Sequence, residues 1–135
     1  LTVLDAFAGT GALAFEAMSR GAASAVVIDS DSSAQRTISQ NITALGLQKQ
    51  IKLIKAAAGS WLETTDESFD LVLLDPPYDD VHPKLLLELA DRSTIGGVIV
   101  ISLPPTVTFE LGGSFKLLLS KSYGDATLVF YRRTK

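Results

Sequence analysis

The chain contains no cysteine. That excludes disulfides, zinc–thiolate sites and any thiolate nucleophile, including the covalent route to methylating carbon 5 of pyrimidines. Histidine occurs once, as His82, and no cluster has metal-ligand spacing, so no metal is expected. His82 precedes Pro83, the ordinary place for a helix cap or loop residue. Also missing is any apolar stretch near the roughly 20 residues that span a bilayer, or a basic flank ahead of an apolar N-terminal core. The expectation is a cytoplasmic protein without membrane contact. Basic residues are in the minority, 12 Lys and Arg against 15 Asp and Glu, for a net charge of −3. This argues mildly against the chain gripping a polyanion unaided, because such affinity comes largely from cations on phosphates. There is no initiator methionine. The first strand starts at once after Leu1, so a preceding segment, which could be basic, is expected.

What is present is ordinary for a globular fold: 135 residues, 47% hydrophobic and 20% charged. This suits one domain over residues 1–135, expected to be a monomer. Short apolar runs alternate with helical patterns, which predicts a parallel α/β fold. Strands are expected at 2–7, 24–29, 51–55, 69–75 and 98–103, and helices at 12–20 and 83–92, the second with Pro83 in its first turn. Between the second and third strands, Ser32 and Gln35 have capping-box spacing before a helix with an apolar face of Ala34, Ile38, Ile42 and Leu45, closed by Gly46. Lys52 and Lys55 suit the third strand to an exposed edge, with Trp61 and Leu62 covering a face nearby. The runs 115–122 and 126–131 are too close for a helical crossover and must form an antiparallel hairpin.

Two motifs carry chemistry. Asp75-Pro76-Pro77-Tyr78 follows the apolar run Leu71 to Leu74, so it sits beyond the carboxyl end of a buried strand, where open α/β sheets bind ligands. A turn alone would explain Pro-Pro, but the residue types also fit methylation of an exocyclic amine. Such a nitrogen has its lone pair delocalised into the ring and needs acceptors for its two N–H bonds. A carboxylate oxygen of Asp75 and the carbonyl of Pro76 supply them, and Tyr78 offers a face on which to stack an extruded base. Upstream, Asp5-Ala6-Phe7-Ala8-Gly9-Thr10-Gly11 joins a strand to a helix as a loop holding a nucleoside cofactor does, although two glycines also serve any tight turn. Asp29 ends the next strand, where a carboxylate can accept from a ribose diol. Asp31 is better explained as an acid at a helix N-terminus. Asp5, inside an apolar run, needs a partner such as a cofactor amino group or the loop amides.

Together the motifs resemble the class I S-adenosylmethionine-dependent methyltransferases, and over nearly the whole chain the RsmD family, which methylates the N2 amine of a guanine in small-subunit ribosomal RNA. Glu16 to Ala22, Asn41 to Gly46 and Tyr123 to Thr127 carry the likeness beyond the motifs. The resemblance implies a Rossmann-like sheet of seven strands, order 3-2-1-4-5-7-6 with the last strand antiparallel. It further implies S-adenosylmethionine as cofactor, held by Asp5, Phe7, Gly9, Gly11, Asp29, Ser30, Ala57 and Ala58. The target base would be held by Asp75, Pro76 and Tyr78, and the partner would be ribosomal RNA or a small-subunit particle. Two departures stand out: the family's basic amino-terminal segment is absent, and Ala57 stands where an Asp commonly meets the adenine amine. Adenine-N6 DNA and glutamine-N5 protein methyltransferases use related motifs, and a non-catalytic module binding RNA or cofactor is a further alternative. An NAD-dependent dehydrogenase fits less well, since Leu13 and Ala14 follow where a third glycine is expected.

Overall fold

In the computed structural model, which describes all 135 residues, the apolar runs form seven strands of one sheet. They are β1 (Thr2–Asp5), β2 (Ser24–Ile28), β3 (Ile51–Ile54), β4 (Phe69–Leu74), β5 (Ser93–Leu103), β6 (Phe115–Tyr123) and β7 (Ala126–Arg133). The helices are α1 (Ala12–Ser19), α2 (Ser32–Ala44), α3 (Ala58–Leu62) and α4 (Pro83–Ala90). The order is β3-β2-β1-β4-β5-β7-β6. The first five strands pair in parallel and β7 runs antiparallel to both of its neighbours. This is the class I methyltransferase arrangement.

Alternate residues of the central strands bury on opposite faces, as the period-2 geometry of a strand requires. Leu4, Val26, Ile28, Val72, Leu74, Ile99 and Ile101 pack beneath α3 and α4 with Trp61, Leu62, Leu86 and Leu89. Val3, Ala25, Val27 and Leu73 pack beneath α1 and α2 with Ala14, Ile38 and Ile42. Three layers result. Trp61 covers its face as expected, its ring tilted on that of Phe69 at 6.0 Å between centroids.

Several local expectations are corrected. The cap of α2 is Asp31, whose side chain accepts from the Ala34 amide at 2.9 Å. Gln35 donates instead to the Asp29 carbonyl at 2.8 Å, so the capping box does not form. Leu45 lies past the end of α2 and is 59% exposed, leaving Ile38 and Ile42 as the buried stripe. Helix α4 stops at Ala90, whose carbonyl accepts from the Ser93 hydroxyl at 2.6 Å. Arg92 lies beyond it and donates to the carbonyls of Leu62 and Thr65. Strand β5 begins at Ser93, five residues ahead of Val98, because its pairing with β4 jumps from Phe69↔Ser93 to Leu71↔Val98. Gly97 permits that irregularity: a Cβ there would lie 2.8 Å from the Thr94 carbonyl oxygen.

Candidate active site

The carboxyl ends of β1, β2, β3 and β4 open on one cavity of about 1110 Å³. Its wall carries Phe7 and Gly9 after β1, Asp29 and Ser30 after β2, Ala57 and Ala58 after β3, and Asp75, Pro76 and Tyr78 after β4. Nine of the eleven residues singled out in the sequence thus share one space. The other two, Asp5 and Gly11, do not line it.

The loop after β1 is held from below. Gly9 and Gly11 have φ of 59° and 80°, a region that costs an L side chain strain. The amide of Gly9 donates to one oxygen of Asp29 at 2.7 Å, and the other oxygen takes the Asp31 amide at 2.8 Å. Asp29 therefore braces the loop. A carboxylate has about four acceptor positions, so two remain for a diol in the cavity. Gly11 has a packing role: a Cβ would stand 2.8 Å from Phe15 Cε2 and 3.3 Å from Ile38 Cγ1. It is also the N-cap of α1 with no side-chain cap, which leaves first-turn amides free for a ligand.

Asp5 is 1% exposed, and neither of its oxygens has a hydrogen-bond partner. Burial first, then the negative charges of Asp75 and Asp29, push its carboxyl up from 3.8 to about 7. The amides of Ala14 and Phe7 temper the shift, yet neither meets bonding geometry. Beneath a cavity, an orphaned carboxylate fits a ligand that brings positive charge or N–H donors.

Asp75 is open to the cavity. Partial desolvation raises its pKa, and the Ser102 hydroxyl opposes that rise. The same hydroxyl meets the Tyr78 hydroxyl at 3.1 Å. Leu74 pairs with Ile101, so the residue after each falls side by side at the sheet end, and Ser102 stands between the carboxylate and the ring. Sequence reading missed Ser102, which sits in an apolar strand next to Leu103 with no motif around it. Its signal was the register, one place past the last pair. The two prolines behave differently. The Pro77 carbonyl accepts the Asp80 amide at 3.0 Å, while that of Pro76 accepts no backbone amide. The Pro76 carbonyl is thus an acceptor with no backbone donor, Asp75 keeps acceptor positions beyond the side facing Ser102, and Tyr78, 40% exposed, presents a ring beside them. His82, the N-cap of α4, reaches Asp80 at 2.8 Å at the rim.

The chain is similar to known proteins over most of its length. A family described as conserved hypothetical protein 95 matches residues 1–132. YlbH of Bacillus subtilis, whose name proposes an rRNA methyltransferase, is 31% identical over 96% of this chain and 74% of its own length. The ribosomal RNA small subunit methyltransferase D of Buchnera aphidicola subsp. Acyrthosiphon pisum is 34% identical over 66% of this chain and 47% of its own. The structure of yhhF from Escherichia coli, whose name proposes a methyltransferase, superposes with a TM-score of 0.89 at 25% identity, covering 99% of this chain and 77% of that one.

Proposed function

This chain belongs to the RsmD family of methyltransferases, and on that premise we propose that it methylates an exocyclic amine of a nucleobase in ribosomal RNA, guanine N2 of the small-subunit RNA, with S-adenosylmethionine as donor. The observation that carries the reading is a pair of acceptors with capacity to spare, the Asp75 carboxylate and the Pro76 carbonyl, on residues lining the cavity that also holds the Gly9 loop and Asp29. The names of YlbH and of the Buchnera methyltransferase support the choice of RNA.

When bound, the cofactor supplies an electrophilic methyl group on a sulfonium. The protein's part is to aim a poor nucleophile. Asp75 and Pro76 would accept the two N–H bonds and so fix the direction of the nitrogen, and the Tyr78 ring would hold the base by stacking. An exocyclic amine that gains a methyl group must give up one proton, and Asp75 would be the base to take it. On the cofactor side, Asp29 would hold the ribose, Phe7, Ser30, Ala57 and Ala58 would line the adenosine, and Asp5 would meet the positive end from below. Gly11 would act through the shape of the loop.

The test is methyl transfer from labelled S-adenosylmethionine to small-subunit RNA from cells lacking this protein, with the modified base identified. Asp75→Ala should lower turnover by about 100-fold or more, the usual loss for one preorganised electrostatic contact, while S-adenosylhomocysteine binds as before. Activity within a few-fold of the parent would make the motif structural, and a methyl on another base would overturn the choice of guanine.

A further inference from the structure

Charge is unevenly distributed along this chain. No Asp or Glu occurs from Ser32 to Leu62, while Arg36, Lys49, Lys52 and Lys55 all fall there, so the 15 acidic residues lie in the rest. The segment is α2, β3 and α3, and β3 is the outermost strand on that side of the sheet. All four cations are exposed, and the ion pairs of the molecule, Arg20 with Glu16 and His82 with Asp80, involve none of them.

Arg36 from α2 and Lys55 from the end of β3 line a single groove of about 360 Å³, completed by Ser32, Gln35, Ser39 and Gln40. Lysine on an edge strand commonly guards against strand pairing, which accounts for Lys52. It does not call for an arginine across a groove. Two cations among hydroxyls and amides, without a carboxylate, form a donor-rich surface that suits a phosphate.

The location matters as much as the chemistry. Strand β3 lies three places from β4, so at about 4.8 Å per strand Lys55 is about 14 Å across the sheet end from Asp75. Residues 111–135 hold a second group of cations, Lys116, Lys121, Arg132, Arg133 and Lys135 against Asp125 alone, whereas Arg36 and Lys55 share one groove, which makes this edge the better seat for a phosphate. Accepting that the substrate is RNA, we propose that the α2–β3 edge docks the RNA backbone flanking the target nucleotide, with phosphate seated between Arg36 and Lys55.

The test compares the parent with Arg36→Gln/Lys55→Gln, using small-subunit RNA as the probe in both binding and methyl transfer. For single strands each phosphate contact contributes about 0.7 to the slope of log affinity against log salt. From about 50 to about 200 mM salt, the parent's RNA affinity should therefore fall about two- to threefold more than the variant's. KM for RNA should rise, with kcat and S-adenosylhomocysteine binding unchanged. Equal salt slopes and equal KM would overturn the proposal, as would a fall in kcat or in cofactor affinity, which would make the two residues structural. If the parent binds this RNA but methylates none of it, the functional reading fails, and the salt slopes still decide the docking edge.

Discussion

At the scale of single residues, two groups around the cavity have measurable signatures. Asp5 holds a proton up to about pH 7 when folded, against an ordinary 3.8. Between those values the folded protein keeps a proton that the unfolded chain releases, so stability falls as pH rises through that window. The penalty is absent below about pH 4 and complete above about pH 7, where it reaches at most about 4 kcal/mol. Asp5→Asn should therefore gain stability relative to the parent as pH is raised from 5 to 8, read by urea denaturation; a difference that does not change with pH would remove the assignment. Ser102 has a second signature. Its hydroxyl holds the Asp75 pKa down against desolvation and ties down Tyr78. Ser102→Ala should move the acidic limb of the pH–activity profile upward, because Asp75 then ionises at higher pH, and Ser102→Thr should restore it. An unshifted limb in the Ala variant would leave Ser102 no part in tuning Asp75.

At the scale of elements, Ala57 is the informative position. It is the N-cap of α3, extended at φ −74° and ψ 146°, with no side-chain cap, and it lines the cavity. An aspartate there has two uses: accepting from the adenine amine, and capping α3, worth about 0.5–2 kcal/mol. Ala57→Asp should raise the stability of the free protein, and it should tighten S-adenosylhomocysteine by less than the ten- to hundredfold that a full charged hydrogen bond of about 1.5–3 kcal/mol would give. Calorimetry separates the two, and a more stable protein with unchanged affinity would show the side chain turned to the helix. The same element shows where sequence was informative. The five parallel strands, the hairpin and the edge position of β3 were legible because period and loop length constrain them strongly. The ends were not, since Asp31 rather than Ser32 caps α2 and β5 runs back through Gly96 and Gly97 to Ser93. Those details depend on side-chain bonds and a register shift that periodicity does not encode. In the site, Asp75 to Tyr78 and the glycine loop were legible as motifs, whereas Ser102 and the two bonds of Asp29 needed the third dimension.

At the scale of the whole molecule, the two sheet edges differ. One side holds β3 beside the buried strands β2 and β1, with α2 across them. On the other, β6 is covered by no helix, pairs only with β7, and is exposed from Lys116 through Tyr123. Leu117, Leu118, Leu119 and Tyr123 are each at least 43% exposed there. The consequence is one of time. Opening β6 breaks a single ladder and uncovers little apolar surface, whereas opening β1 or β4 breaks two ladders and floods the core. Amide hydrogens should exchange fastest along β6, more slowly in β7 and β5, and slowest in β1 and β4. Mass spectrometry on exchanged peptides would record that gradient, and uniform protection across the sheet would refute it. The molecule then breathes at one margin on a short clock, while the strands that carry Asp5 and Asp75 keep their positions for as long as the fold lasts.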